Sequence, residues 1–277
     1  MSGAGPGGGG PGGRRRRWVV RGATMTGAGH VNEGKWCEDA FAWTSLSTRD
    51  DRPDIQILAV ADGAGSRERS AEGSRLAVSI AVSTVAAHLT SHDVQENPSE
   101  WDRHLDHLGK QIVRTFLSVA SGLGGGSPDA FASTLTLVVV AHPYVGYVSV
   151  GDGFIVLRTG SGGPANVHLL DSATAAAESA STTVFLTSRL DGAVRVGTVY
   201  DPEITGVFVS TDGLAPVTLT RAEDGQLDIA DEQVVDVVLG LLDSGDFDPY
   251  DLMRLLARGD VISATQDDMT MLAAVLR

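Results

Sequence analysis

Four apolar strands in this chain each meet an aspartate at one end. IQILAVA, residues 55–61, runs into Asp62, and YVGYVSV, residues 144–150, leads through Gly151 to Asp152. GVFVS, residues 206–210, is followed by Thr211 and Asp212, while Asp267 and Asp268 precede MTMLAAVL, residues 269–276. A strand end is a rigid mount. Glycine directly after Asp62, Asp152 and Asp212 lets the backbone turn sharply and approach a ligand closely. One Asp-Gly pair is most simply a turn, but four apolar strands meeting aspartate is a harder pattern to dismiss. Carboxylates gathered at one edge repel and take up protons, and they stay ionised together only with cations among them. An all-oxygen set selects magnesium, manganese or calcium over zinc or copper. Glu38 and Asp39, in GHVNEGKWCEDAF (29–41), stand just before another strand and join the candidates.

Around these positions the pattern is that of one globular unit. Strands are expected at 18–24, 40–46, 55–61, 133–141, 144–150, 154–158, 184–188, 194–199, 205–210 and 269–276, with 133–158 as an antiparallel meander. A helix is expected at 70–90, with Leu76, Ile80, Thr84 and Ala87 on one stripe. Another is expected at 100–121, where Trp101, Leu105, Leu108, Ile112, Phe116 and Val119 recur at three and four and Ser99 with Asp102 resembles a capping box. Further helices are expected at 231–243 and 249–258, the second opening near Pro249. Residues 159–183 read as loop or flap. Strands in runs, with helices grouped apart, predict an α+β domain over 18–277. Residues 1–17, nearly all Gly and Pro before Arg14–Arg17, read as a disordered basic tail.

The charge balance narrows the partners. The chain carries −14, and the four arginines of the tail contribute +4, so residues 18–277 carry −18. Such a body repels phosphate backbones and predicts no nucleic-acid binding. No 18-residue apolar run predicts a membrane span. Cys37 is the only cysteine, which excludes an internal disulfide and a thiolate zinc cage and fits a cytoplasmic protein.

Other chemistries fit less well. Gly29 to Lys35 matches the G-x-x-x-x-G-K phosphate loop of nucleotide triphosphatases, but Trp36 stands where Ser or Thr would hold magnesium. A cysteine phosphatase wants an arginine six residues after its nucleophile, and after Cys37 that position is Trp43. There is no G-x-S-x-G elbow. The histidines fall mainly on the expected helices (His88, His92, His104, His107), and His30, on the approach to Glu38, is the one to watch.

Taken in order, CEDAF, VADGAGS, AST-LTL, VGDG, STDGL and DDMT resemble the metal-dependent protein serine/threonine phosphatases of the 2C (PPM) type, in their compact bacterial form. The likeness spans about residues 22 to 277. It implies an α-β-β-α sandwich of two antiparallel sheets, with two manganese or magnesium ions at one sheet edge and a third, weaker site. By this resemblance Asp62 bridges the two metals, with the Gly63 carbonyl on one of them. Asp212 and Asp267 hold the first, Glu38 serves the second, and Asp152 with Asp212 forms the third site. Asp39 and Asp268 stand behind these ligands. Two such cations acidify a shared water for in-line attack on phosphorus without a phosphoenzyme, so Asp62, Asp212 and Asp267 carry catalysis on a phosphoprotein substrate opposite a serine/threonine kinase. The sequence departs from the pattern at Ala64, where eukaryotic members tend to have a histidine, and at Gly34, where a phosphate-gripping arginine is expected; Lys35 is the candidate substitute. The alternatives are a non-catalytic relative that binds metal or phosphoprotein, and the nucleotide triphosphatase.

Overall fold

The computed structural model describes residues 16–48, 52–92, 97–124, 127–160, 166–172, 183–188, 193–221, 227–229, 233–248 and 250–277. Strands β1 (Trp18–Met25), β2 (Ala40–Leu46), β3 (Ile55–Ala61), β4 (Leu135–Ala141), β5 (Tyr144–Val150), β6 (Phe154–Thr159), β7 (Asn166–Ser172), β8 (Arg195–Tyr200), β9 (Ile204–Ser210) and β12 (Met269–Leu276) form two five-stranded antiparallel sheets. One sheet has the order β1-β12-β9-β6-β7 and the other β2-β3-β4-β5-β8. After β9 come the single-turn helix α4 (Ala215–Thr218) and the short strands β10 (Leu219–Arg221) and β11 (Leu227–Ile229), which pair with each other apart from both sheets.

Period-two alternation explains the layers, because both faces of the central strands are buried. In β3, Leu58 and Val60 point into the core between the sheets, while Ile57, Ala59 and Ala61 face helix α2 (Ser70–Ser91), and helix α3 (Pro98–Gly124) covers β5 and β8 of the same sheet. In β12, Leu272 and Ala274 enter the inter-sheet core. Met271, Ala273 and Val275 face α5 (Gln233–Ser244), α6 (Asp251–Leu256) and α7 (Gly259–Ala264). The result is the expected α-β-β-α sandwich. Trp101, Leu105, Leu108, Ile112 and Phe116 of α3 are buried against the second sheet, and each such side chain contributes roughly 1.5–3 kcal/mol by leaving water.

Several local expectations are corrected. The meander ends at β5: after Gly151, whose φ of 100° needs a glycine, the chain crosses to the other sheet and β6 pairs with β7 and β9. Residues 166–172, expected as loop, are the edge strand β7, where pairing with β6 overrides a sequence of weak strand propensity. No strand forms at 184–188, which make a turn instead. On α2 the expected Ile80 is buried, Leu76 and Thr84 are half-buried and Ala87 is exposed; the rest of the buried face is largely Gly73, Ser74, Ala77, Val78, Ala81 and Val85, small residues that let the helix lie close to the sheet. On α3, Ala120 is buried and Val119 exposed. The cap of α3 is Asn97, whose Oδ1 accepts from Ser99 N at 2.9 Å, with Pro98 opening the helix. Residues 1–15 of the expected tail, most of the flap (161–165 and 173–182) and Pro249 lie outside the described residues. The β1–β12 ladder extends one residue before Trp18, through Arg17 and Arg277.

Candidate metal centre

Antiparallel register brings the aspartates together. Ala40 pairs with Ala61, and Leu135 with Val150, so Asp39, Asp62 and Asp152 all leave one end of their sheet. In the other sheet Ser210 pairs with both Met271 and Phe154, which puts Asp212, Asp267, Asp268 and the Asp152 turn at the matching end. Carboxylate oxygens of Asp62, Asp152 and Asp212 all lie within 4.8 Å of one another, the one group of three or more metal-capable side chains this close among the described residues.

The mounts are rigid. Thr134 Oγ1 accepts from Asp62 N at 2.9 Å, while Thr134 N and Ser133 Oγ donate to Asp62 O at 2.8 and 2.9 Å. The 62–63 turn is thereby fixed to the start of β4. A Cβ on Gly213 would collide with the Asp268 carbonyl oxygen, so only glycine lets the Asp212 turn press against the β12 entrance.

Asp39 is 4% exposed, and its Oδ2 accepts from Thr211 Oγ1 at 2.8 Å. Its Oδ1 is buried without a hydrogen-bond partner, as is Oδ1 of Asp152, whose other oxygen accepts from Thr183 Oγ1 at 2.7 Å. Thr183 thus ties the end of the flap to the centre. Burial, with Asp39, Asp212 and Asp267 nearby, pushes the Asp62 carboxyl far above the usual carboxylate range. Burial also raises Asp39 to about 7, against the Thr211 hydrogen bond. Asp212 rises to about 7 through burial and then Asp152 and Asp267. Asp267 is raised by burial and by Asp268. Crowded oxygens of which two are buried and unpaired are a poor arrangement for a protein alone and a suitable one for hard divalent cations.

Asp268 and Glu38 differ from the rest. Asp268 is buried, and its oxygens accept from Gly27 N at 2.7 Å, Glu38 N at 2.6 Å and His30 Nδ1 at 2.9 Å. It is a hub that fastens segment 27–38 to β12. Glu38 is buried, and its Oε2 accepts from Ser70 Oγ at 2.6 Å. Lys35 Nζ donates to Gly65 O at 3.1 Å and pairs with Glu33 at 2.8 Å, which leaves one of its three donors. The supporting roles of Ser70, Ser133, Thr134, Thr183 and Thr211 were not legible in the sequence, where isolated hydroxyls carry no pattern; only AST-LTL hinted at two of them.

The two decoys fail on structure. Residues 28–33 form helix α1 (Ala28–Glu33), closed by Gly34 at φ 69°. The G-x-x-x-x-G-K stretch is therefore itself helical and cannot wrap a phosphate ahead of a helix. The Cys37 thiol is pushed up to about 12 by burial, so it stays protonated at neutral pH.

Comparison with known proteins agrees with this architecture. The Protein phosphatase 2C family model matches residues 26–244. Serine/threonine-protein phosphatase 3 of Escherichia coli K12 is 27% identical over 146 residues, 53% of this chain and 52% of that protein; the chain spans about half the length of the curated relative it matches. The serine-threonine phosphatase 2C of Toxoplasma gondii shares the fold at a TM-score of 0.64 and 16% identity, covering 94% of this chain and 95% of that one. Serine/threonine phosphatase Stp1 of Staphylococcus aureus does so at 0.60 and 15%, covering 93% and 94%. The two-sheet sandwich, the ordered aspartates at its edge and a family match over most of the globular region lead to one assignment: the chain belongs to the protein phosphatase 2C family.

Proposed function

We propose that the chain is a metal-dependent protein serine/threonine phosphatase, acting on a phosphoprotein in the cytoplasm opposite a serine/threonine kinase. The observation that carries this is the convergence of Asp62, Asp152 and Asp212 within 4.8 Å at one end of a protein phosphatase 2C sandwich. Asp62, Asp212 and Asp267 would hold manganese or magnesium, with the Gly63 carbonyl on one of the two ions, Glu38 on the second, and Asp152 with Asp212 on a third. Bound there, the cations supply an acidified water and positive charge against the phosphoryl oxygens.

The chain's own groups orient and insulate this chemistry. Thr134 and Ser133 fix the Asp62 backbone, and Thr211 holds Asp39 behind Asp62. Asp268 keeps Glu38 and His30 at the rim. Lys35, with one donor left, stands at the same rim as the candidate phosphate partner. Ala64 supplies no proton donor, so protonation of the leaving oxygen falls to solvent in the cleft.

The test is hydrolysis of p-nitrophenyl phosphate and of a phosphothreonine peptide with manganese or magnesium. Activity that is lost in excess EDTA and in Asp62→Asn and Asp212→Asn supports the reading. Robust turnover in EDTA would contradict it. Tight metal binding without hydrolysis would mark a non-catalytic relative.

A further inference from the structure

One arginine joins the two sheets at the end where the aspartates gather. Arg195 opens β8, an edge strand of one sheet, and Asp171 lies near the end of β7, an edge strand of the other. Arg195 Nε donates to Asp171 Oδ1 at 3.0 Å and Nη2 to Asp171 Oδ2 at 3.0 Å, a two-pronged ion pair. Nη2 also donates to Ser149 Oγ at 2.7 Å, along the β5–β8 rung that pairs Ser149 with Arg195. Nη1 donates to Gly151 O at 3.0 Å. Nε gives one N–H, Nη2 two and Nη1 one, so four of the five on the guanidinium are engaged. Asp171 and Ser149 are both buried.

The bond to Gly151 is the one that reaches the acidic centre. Gly151 O and Asp152 N belong to one planar peptide unit, so holding that oxygen fixes the plane from which Asp152 departs. A Cβ on Gly151 would strike Thr134 Cγ2 and press on Val184 O. The turn is therefore wedged between the residue that accepts from Asp62 N and the segment whose Thr183 Oγ1 donates to Asp152 Oδ2. Leu186 N, in that segment, donates to Ser133 O at 2.8 Å. Joining two edge strands needs only the ion pair with Asp171. The bond to Gly151 O does something further, because it grips the turn that carries Asp152, whose Oδ1 is buried without a hydrogen-bond partner.

We propose that Arg195 is a positioning residue for the cation site that Asp152 shares with Asp212. It acts through the Gly151 carbonyl and not on the reacting atoms: one guanidinium, anchored on Asp171 in the opposite sheet, sets the turn so that the bare Asp152 oxygen serves a cation. This rests on the reading of the acidic centre as a metal site. Arginine suits the role and lysine does not. A planar fork meets a carboxylate with two N–H groups and still presents others at fixed angles, whereas an ammonium is a point charge whose donors rotate. A lysine here can pair with Asp171, but it cannot hold Asp171, Ser149 and Gly151 O together in that geometry.

The experiment uses the full chain, first metal-free. Hydrogen exchange is compared between wild type and Arg195→Lys, which keeps a cation beside Asp171. Exchange at residues 151–153 should rise by about tenfold, with β12 unchanged. Manganese is then titrated by calorimetry into wild type, Arg195→Lys, Asp152→Asn and the double variant. Arg195→Lys should weaken the weakest manganese site by about 10–100-fold, leave the tighter sites as in wild type, and add nothing once Asp152 is replaced. Where Arg195→Lys fails to fold, Arg195→Gln/Asp171→Asn removes both charges of the pair together and serves in its place. Unchanged exchange at 151–153, equal weakening of every manganese site, or additive losses in the double variant would overturn the proposal. A wild type that takes up no manganese would overturn the metal reading on which it rests, and the exchange comparison separates that failure from a failure of the Arg195 clamp.

Discussion

Asp39 gives the metal-free protein a stability that falls as pH rises. Its carboxyl is 4% exposed and titrates near 7 instead of the ordinary 3.8. Between those values the folded chain holds a proton that the unfolded chain has released. Stability therefore declines as pH climbs through this window, with the full penalty present above about 7. The complete penalty is about 4 kcal/mol, and the part lost between pH 5 and pH 8 is about 3 kcal/mol. For a chain of this size that lowers the melting midpoint by roughly 6–12 °C. The assay is thermal unfolding in excess EDTA from pH 5 to 8, comparing wild type with Asp39→Asn. The introduced amide does not titrate and removes a negative charge beside Asp62, so the variant should show a flatter profile and a higher midpoint at pH 8. Asp62, Asp212 and Asp267, also raised by burial, add to the trend in both proteins, and His88 and His142, whose proton affinities are lowered, oppose it in both, so the difference between wild type and Asp39→Asn, not the wild-type slope alone, isolates Asp39. Saturating manganese should reverse the wild-type slope, because cations bind only the deprotonated carboxylates. Equal slopes for wild type and Asp39→Asn in EDTA would refute the reasoning.

Thr211→Val removes the hydrogen bond that lowers Asp39; the acid limb of metal-dependent hydrolysis should move to higher pH, measured as kcat/KM against pH at fixed manganese. Gly213→Ala drives a Cβ into the Asp268 carbonyl oxygen. It should lower the melting midpoint and sharply weaken manganese binding by calorimetry, since both sides of the centre must shift. Phe116→Ala, in the core between α3 and the second sheet, should cost about 3–5 kcal/mol in denaturant unfolding while leaving metal affinity intact in the folded fraction.

Some of the protein was fixed locally. Strand β12 and strand β3 stand at their expected bounds because unbroken apolar runs leave them no exposed alternative. The aspartates at their ends were visible because Asp-Gly after an apolar run is a local signal. The α3 stripe was legible from spacing as far as Phe116, and it failed at Val119, where the sheet surface beneath the helix decides which of two adjacent apolar residues is covered.

What depended on long-range pairing was not legible. β6 follows β5 closely in sequence, yet it belongs to the other sheet, because Gly151 redirects the chain and β9 offers a second partner. The weakly strand-like segment 166–172 became β7 only because the β6 edge was open to it. Asp39 became a buried neighbour of Asp62 through the β2–β3 register, and Asp268 became a structural hub through contacts more than 200 residues apart in the chain. Sequence alone determined which residues carry negative charge and which strands must be buried, since composition and periodicity act within a few residues. The tertiary structure alone decided which of those charges share one space, since that is set by strand register and by two sheets meeting at a common end.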